Sequence, residues 1–281
     1  MEDMRMKILA SDYDGTLRTE ELVDINDVHA IHEFRAAGNM FGLVTGRSME
    51  SIQTEIQKNK IEFDFIVANN GGVIYDRDFQ RLQVLYMDFN KALDIIAYIK
   101  TLDCVSYVIN DGFHRFKFSV DENQIDHKYG NMPDTNEHEE EVLDRGKISQ
   151  LVVSLNDTML AEEISHYINT NFKGYAVAYV NVNCVDIVPE GVSKAEGLYF
   201  IEQHLGLEHD AIYAIGDSFN DIPMIEEFHG CAMMHARSAL VEPAEHVFQS
   251  IEECIASLMT LYTDDSGRIF LYILYKTTAC I

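Results

Sequence analysis

Apolar runs that alternate with amphipathic segments organise the first eighty residues. Ile8–Ser11 predicts a buried strand, and Met40–Val44 and residues 63–68 predict two more. Between these runs, apolar residues recur at helical spacing, and Asp24 or Asn26 is a suitable N-cap for the first helix. Strands that alternate with helices predict a parallel sheet covered by helices.

The pattern changes between residues 82 and 184. Two strand-like runs flank Asn110-Asp111-Gly112, which is a strong hairpin signal because Asp-Gly adopts positive φ at low cost. Further strand and helix patterns follow, so this stretch predicts an α+β unit with an antiparallel sheet. Its acidic run 137–141 predicts a solvated face or a mobile loop.

The α/β pattern resumes at residue 185. The chain therefore predicts an α/β fold whose doubly wound parallel core, residues 1–81 and 185–262, is interrupted by an inserted α+β domain, residues 82–184. Residues 263–281 combine a polar linker with an apolar run and receive no role.

Composition excludes several classes of partner. The 21 basic and 47 acidic residues give a formal charge of −26, which repels nucleic-acid phosphates and anionic membranes. An anionic substrate would need a local cation, and a divalent metal suits this need. The five cysteines lack C-x-x-C spacing and predict reduced core thiols. Without a leader or a bilayer-length apolar run, the sequence predicts a soluble cytoplasmic protein.

Two carboxylates follow the first predicted strand. Asp12 and Asp14 lie in Asp-Tyr-Asp-Gly-Thr, and two neighbouring carboxylates require a cation or a proton between them. Open α/β sheets bind ligands at the carboxyl ends of their strands. The pair therefore suits a nucleophile with an acid/base partner, and the alternative is a solvated Asp-Gly turn.

Three further polar motifs follow predicted strands or begin helices. They are Thr45-Gly46-Arg47, Ser193-Lys194 and Gly216-Asp217-Ser218-Phe219-Asn220-Asp221. Each alone is explained by a cap, a surface lysine or a turn. In this order, with the insertion after the Thr45 motif, they resemble the haloacid dehalogenase superfamily of phosphatases, and its Cof-type branch, over about residues 5–262.

The resemblance implies a Rossmann-like core, Mg²⁺-dependent phosphoryl transfer, and a cap formed by the insertion. Asp12 would be the nucleophile and Asp14 the acid/base, with a pKa that crowding of carboxylates could raise toward neutrality. Thr45, with N–H groups near Gly46, would hold a phosphate oxygen. Lys194 would balance the charge on the nucleophile and the phosphoryl group.

The resemblance also implies a metal site. The carboxylates of Asp12 and Asp217 and the carbonyl of Asp14 would bind Mg²⁺, and Asp221 would be a further ligand or would orient the others. Asn220 would contact phosphate or position the lysine.

Substrate contacts are predicted in the loops and in the cap. The candidates in the loops are Gly46, Arg47, Asn70, Gly71 and Asn220. Arg47 either touches substrate or braces its loop. On the predicted hairpin, Arg115 and Lys117 either contact the leaving group or are charges on the sheet surface.

The sequence thus predicts an Mg²⁺-dependent phosphatase of small phosphomonoesters, such as sugar phosphates or phosphorylated cofactors, that forms an aspartyl-phosphate. We expect a monomer or homodimer with no nucleic-acid or membrane partner. A phosphomutase or other phosphotransferase on the same core is an alternative. So is a non-catalytic regulator that binds a phosphometabolite, although such a binder has no need for Asp14.

Overall fold

Two large β-sheets dominate the computed structural model, which describes residues 6–121 and 123–260. The strands are β1 (Ile8–Ser11), β2 (Arg18–Thr19), β3 (Leu22–Val23), β4 (Met40–Val44), β5 (Phe65–Ala68), β6 (Val73–Asp76), β7 (Arg81–Val84), β8 (Ser106–Asn110), β9 (Arg115–Ser119), β10 (Gln150–Ser154), β11 (Ala176–Asn181), β12 (Cys184–Pro189), β13 (Ile212–Gly216), β14 (His229–Met233) and β15 (His246–Phe248). The helices are α1 (Ile25–Ala36), α2 (Met49–Asn59), α3 (Phe89–Ile99), α4 (Glu139–Leu143), α5 (Thr158–Asn171), α6 (Lys194–Leu205), α7 (Ile222–Glu227), α8 (Ser238–Val241) and α9 (Ile251–Thr260).

The larger sheet has eight strands in the order β15-β14-β13-β1-β4-β5-β6-β7. The first six are parallel, and β6 and β7 extend the edge in antiparallel fashion. Apolar clusters cover both faces, one with residues of α1, α2 and α9 and the other with residues of α6 and α7. Burial on both faces explains why the central strands are continuous apolar runs. The predicted doubly wound α/β fold is confirmed.

The smaller sheet is antiparallel, with five strands in the order β11-β12-β10-β8-β9. Residues of α3, α4 and α5 form the apolar core on one of its faces. Because side chains alternate along a strand, the opposite face carries every second residue, including Val108, Val152 and Cys184. This second face turns toward the site described below.

Strand pairing at the two junctions differs from the predicted division after residues 81 and 184. Strand β7 pairs with β6 in the larger sheet, so residues 82–84 belong with it. Strand β12 pairs with β10 and β11 in the smaller sheet, so residues 185–189 belong there. Strand pairing decides both limits, and the apolar pattern of a junction strand does not show which sheet it joins.

Of the two alternatives predicted for the acidic run 137–141, the solvated face holds, because Glu140 and Glu141 are exposed, and the loop does not hold throughout, because α4 begins at Glu139. Glutamates in a first turn are favoured by the positive end of the helix dipole. Glu139 also accepts a hydrogen bond from the Tyr107 hydroxyl at 2.6 Å and pairs with Lys100. The 263–281 stretch lies outside the described residues.

Side-chain caps start the helices that border the site. Ser48 begins α2 by accepting from the main-chain N–H of Ser51 at 3.3 Å, and Ser193 begins α6 by accepting from Glu196 at 3.1 Å. The Asp24 carboxylate caps α1. Within residues 6–121 and 123–260, no helix is long and apolar enough to cross a bilayer.

A buried carboxylate between α1 and α9 gives a stability prediction. Asp27 is 6% exposed and accepts from the N–H of Glu252 at 2.7 Å. Burial raises the pKa of Asp27 to about 6. Because the folded state binds this proton more tightly than the unfolded chain, the ionised form costs stability at neutral pH, and the cost fades as the pH falls toward the unfolded pKa.

We therefore expect Asp27→Asn, which keeps the acceptor, to raise the free energy of unfolding by about 1–2 kcal/mol at pH 8. The gain should vanish near pH 4. Urea denaturation of both proteins across this range measures it. A gain that does not change with pH would show that Asp27 does not carry the predicted cost.

Candidate active site

The carboxyl ends of β1, β4 and β13 meet below a cavity of about 650 Å³ that lies between the two sheets. The loop after β1 carries Asp12 and Asp14, and the loop after β4 carries Thr45. The loop after β13 carries the acidic motif, and α6 begins at Lys194 on the same side. The fold thus brings together side chains that are far apart in the sequence.

A buried ion cluster lies at the floor of this cavity. Lys194 is 1% exposed, and its Nζ donates to Asp12 Oδ1 at 2.6 Å and to Asp221 Oδ1. Burial alone would lower the pKa of Lys194, but the two carboxylates raise it above its ordinary value. Lys194 is therefore charged at neutral pH.

One oxygen of the Asp12 carboxylate is unused. Asp12 Oδ2 is buried and has no hydrogen-bond partner among the described residues. Burial raises the pKa of Asp12 well above its ordinary value, although Lys194 opposes the shift. A buried polar atom without a partner is costly, so this oxygen needs a ligand, a cation or a reacting atom.

Carboxylate oxygens of Asp12, Asp217 and Asp221 lie within 4.8 Å of one another. Both Asp221 oxygens are engaged, because Oδ1 contacts Lys194 while Oδ2 accepts from the N–H groups of Asp217 and Ser218 at 3.0 and 2.9 Å. From the part of the chain that the structure describes, the Asp217 carboxylate accepts hydrogen bonds only from the hydroxyls of Thr16 and Ser218, and burial with the nearby Asp221 charge raises its pKa. The oxygens of Asp12 and Asp217 are therefore the ones placed to take a cation, and such hard oxygen donors fit Mg²⁺.

The Asp12 loop fits tightly against the acidic motif. Gly15 has a φ of +88°, and a Cβ there would lie 2.3 Å from Asp217 Oδ2. Only glycine permits both the positive φ and this approach. The Asp-Gly turn that follows β1 is thus required by the geometry of the cluster.

Asp14 is held by two arginines. Arg47 donates from Nε to Oδ2 at 2.5 Å and from Nη2 to Oδ1 at 2.7 Å, and Arg18 donates to Oδ1 at 3.2 Å. The Arg47 guanidinium also lies 5.0 Å from the centre of the Tyr13 ring. Burial would raise the pKa of Asp14, but the hydrogen bonds and charge of Arg47 hold it below its ordinary value.

The sequence expectation of a raised Asp14 pKa is therefore wrong for this state of the protein. A guanidinium that forks onto a carboxylate favours the ionised form more strongly than burial opposes it. The Arg47 guanidinium fixes the position of the Asp14 carboxylate through its two hydrogen bonds, and the Arg47 side chain also lines the cavity. Thr45 and Gly46 line the cavity, and Thr45 Oγ1 accepts from the Arg47 N–H at 3.1 Å.

Asn70 and Gly71 were predicted to contact substrate, but neither lines the cavity. The buried Asn70 amide donates to Asp186 Oδ2 at 3.1 Å and accepts from Asn220 at 2.8 Å, so its polar atoms are already used. Gly71 has a φ of +113°, and a Cβ there would lie 2.0 Å from the Ser193 carbonyl. Both residues therefore position the start of α6 and its surroundings. Asn220 does line the cavity.

Lys117 was predicted as a leaving-group contact or a sheet-surface charge, and it is neither. It is 7% exposed, and its Nζ donates to the carbonyls of Tyr129 and Met132 at 3.1 and 3.2 Å. It also lies 3.6 Å from Asp126. Lys117 therefore fastens residues 127–133, most of which line the cavity, onto the smaller sheet.

Two charged residues on strands of the smaller sheet also line the cavity. Arg115 lines it and pairs with Glu50 at 3.4 Å. Asp186 on β12 also lines it and was not predicted from the sequence as a site residue. Its one available signal is a carboxylate in the otherwise apolar run Cys184–Pro189.

The fold and the site define a doubly wound α/β protein in which one edge of the sheet carries paired aspartates, a buried lysine and a cluster of three carboxylates. Residues 9–258 match the family model of haloacid dehalogenase-like hydrolases, so the chain belongs to this family. It is a phosphatase of the Cof-type branch, as the sequence motifs predicted.

Relatives support this placement. The chain is 27% identical over 263 residues to the 5-amino-6-(5-phospho-D-ribitylamino)uracil phosphatase YcsE of Bacillus subtilis, covering 91% of this chain and 95% of that protein. A HAD/COF-like hydrolase from Plasmodium vivax has the same fold, with a TM-score of 0.78 and 21% identity over 93% of this chain and 98% of its own. The HAD subclass IIB sugar phosphatase BT4131 gives a TM-score of 0.74 and 18% identity, with 91% and 98% covered.

Proposed function

We propose that this phosphatase hydrolyses small phosphomonoesters, such as sugar phosphates or phosphorylated cofactors, with Mg²⁺ and through an aspartyl-phosphate on Asp12. The observation that carries the proposal is the unused Asp12 Oδ2 at the floor of a cavity of about 650 Å³. Lys194 holds the other oxygen, so the free oxygen has a fixed direction. A cavity of this size accommodates a small ester.

In the first step, Asp12 Oδ2 attacks phosphorus and the bond to the leaving alcohol breaks. Water then attacks the acyl phosphate, which releases inorganic phosphate and restores the carboxylate. Two moderate barriers replace one high barrier. Lys194 positions the Asp12 carboxylate for attack, and its buried positive charge stabilises the phosphoryl oxygens. The Thr45 hydroxyl and the Gly46 N–H donate hydrogen bonds to the same oxygens.

Asp14 would protonate the leaving oxygen and then take a proton from the attacking water. Arg47 favours its ionised form before substrate binds. A phosphate dianion beside Asp14 favours the protonated form, because like charges disfavour ionisation, and it also competes for the Arg47 guanidinium. Asp14 is then an acid in the first step and a base in the second.

The cation site would be held by the carboxylates of Asp12 and Asp217 and by the Asp14 carbonyl, with Asp221 orienting the loop. Mg²⁺ bound there would neutralise charge on the phosphoryl group. The Asp221 carboxylate would hold the loop that carries Asp217 in a fixed conformation by accepting hydrogen bonds from the N–H groups of Asp217 and Ser218.

We further propose that residues 85–189, which contain the smaller sheet and its helices, form a cap domain over a core domain formed by residues 6–84 and 190–260. Its cavity face and residues 127–133 cover the catalytic floor. Such a cover excludes water from the acyl phosphate and contacts the leaving group. Specificity would therefore lie in the cap.

The proposal is tested with p-nitrophenyl phosphate as a generic ester. We expect phosphate release in Mg²⁺, loss of at least about 10²-fold in EDTA, and recovery when excess Mg²⁺ is restored. Circular dichroism in EDTA serves as the control for folding. Full turnover in EDTA would contradict the metal site.

A further inference from the structure

The phosphate loop, residues 45–47 after β4, carries three consecutive carbonyls that each need a donor. The core supplies two of them, because the main-chain N–H groups of Asn70 and Asn69 donate to the carbonyls of Thr45 and Arg47 at 3.0 and 2.9 Å. The middle carbonyl, that of Gly46, accepts no hydrogen bond from the described part of the core. The core alone therefore leaves the centre of the loop unfixed.

The missing donor comes from the proposed cap. Gln150 lies on β10, is 1% exposed, and donates from Nε2 to the Gly46 carbonyl at 3.2 Å. Because a carbonyl oxygen can only accept, the amide must turn its nitrogen toward Gly46. A buried side chain of the cap thus completes a loop of the core.

This contact fixes the peptide between Gly46 and Arg47 at both of its polar ends. Its carbonyl accepts from Gln150, and its N–H donates to Thr45 Oγ1 at 3.1 Å. Since Thr45 Oγ1 accepts this bond, the hydroxyl hydrogen remains to be donated, and no described residue accepts it. The Gly46 N–H also has no acceptor within the described chain. These are the two donors that the proposed mechanism assigns to the phosphoryl oxygens.

The charged side chains that the cap adds to the cavity do not share this role. Arg115 pairs with Glu50, and among the described residues neither Arg115 nor Lys128 donates to the phosphate loop. The Lys128 charge acts on Asp186, where it opposes the rise in pKa that burial causes. Both cations attract an anion over a distance, whereas Gln150 acts on the loop by direct contact.

We propose that Gln150 is a positioning residue that orients the phosphate loop, so that phosphate binds tightly only when the cap is in place. This inference rests on the proposed function, from which it takes the cap and the phosphate contacts of Thr45 and Gly46. Because coupling between two binding events is reciprocal, bound phosphate in turn favours the docked position of the cap.

The experiment measures the dissociation constant of inorganic phosphate in Mg²⁺ by isothermal titration calorimetry, which requires no turnover. Gln150→Met has a side chain of similar length without a donor, and it should weaken phosphate binding about 3- to 10-fold, as expected for the loss of one neutral hydrogen bond. Gln150→Leu should give the same shift, so that the result does not depend on how one side chain packs. Melting temperatures of both variants show that they are folded.

Ser149→Ala is the matched control. The Ser149 hydroxyl accepts from Asn69 Nδ2 at 3.2 Å, so this variant also loses one buried hydrogen bond between cap and core but leaves the Gly46 carbonyl paired. It should leave the dissociation constant unchanged. Unaltered phosphate affinity in the folded Gln150 variants, or an equal loss in Ser149→Ala, would overturn the inference. A wild type that binds phosphate in this Gln150-dependent way but releases none from p-nitrophenyl phosphate would contradict only the proposed hydrolysis.

Discussion

Asp12→Asn will abolish phosphate release while leaving the melting temperature unchanged or higher. The variant loses the only oxygen placed to attack, since the amide nitrogen or oxygen that replaces Oδ2 is a poor nucleophile. We expect kcat to fall by at least about 10³-fold, as for loss of a nucleophile in other covalent enzymes.

Stability should not follow activity in this variant. Burial already raises the pKa of Asp12, which means that the folded state resists its negative charge. Asparagine removes that charge and keeps an acceptor for Lys194, which still pairs with Asp221. Differential scanning fluorimetry and a phosphate assay on the same sample separate the two effects.

Asp78→Asn is the control for this prediction, because Asp78 is exposed and distant from the cavity lining. It should change neither quantity. Asp12→Asn that retains more than about a tenth of the activity would be inconsistent with a nucleophilic Asp12.

Lys194→Met will lower both stability and activity. It leaves Asp12 and Asp221 as buried carboxylates without their cation. Removing one partner of a buried ion pair costs about 3–5 kcal/mol. Burial already raises the pKa of Asp12 and Lys194 opposes that shift, so its removal raises this pKa further. The folded variant therefore gains a proton as the pH falls, and the loss of stability should be smaller at pH 5 than at pH 8.

Chemical denaturation at the two pH values measures this effect, with Lys58→Met as the control. Lys58 is exposed near the end of α2, and its substitution should cost less than about 0.5 kcal/mol. A Lys194→Met protein as stable as the wild type at pH 8 would show that the carboxylates do not depend on this cation.

The sequence predicted the strands and helix starts of the larger sheet well, because strand burial and helix capping depend on residues that are close together in the sequence. The apolar runs of β1 and β4 are buried on both faces, and the serine at the start of α2 caps it. The positions of Asp12 and Lys194 follow from such signals, since each lies at the end of a strand or the start of a helix. Their contact at 2.6 Å required the parallel order of the sheet.

The features that sequence reasoning missed depend on contacts between distant segments. Arg47 and Asp14 are 33 residues apart, and nothing local shows that the arginine would lower the pKa of the carboxyl. The sequence pattern shows Lys117 only as a charged residue in a predicted hairpin. Its burial is explained by the packing of residues 127–133 over it. In the sequence Asp186 resembles an ordinary strand residue, and only the fold shows that it lies against the loop that carries Gly46.

The central claim is that phosphate passes through a covalent bond to Asp12, and chemical trapping tests it most directly. The enzyme is mixed with substrate and Mg²⁺, quenched in acid and reduced with borohydride, which converts an acyl phosphate to an alcohol. Peptide mass spectrometry should then find homoserine in place of Asp12, and unmodified peptide in Asp12→Asn and in enzyme without substrate. Turnover with no modification at Asp12, or with homoserine at Asp14 or Asp217 instead, would contradict the account.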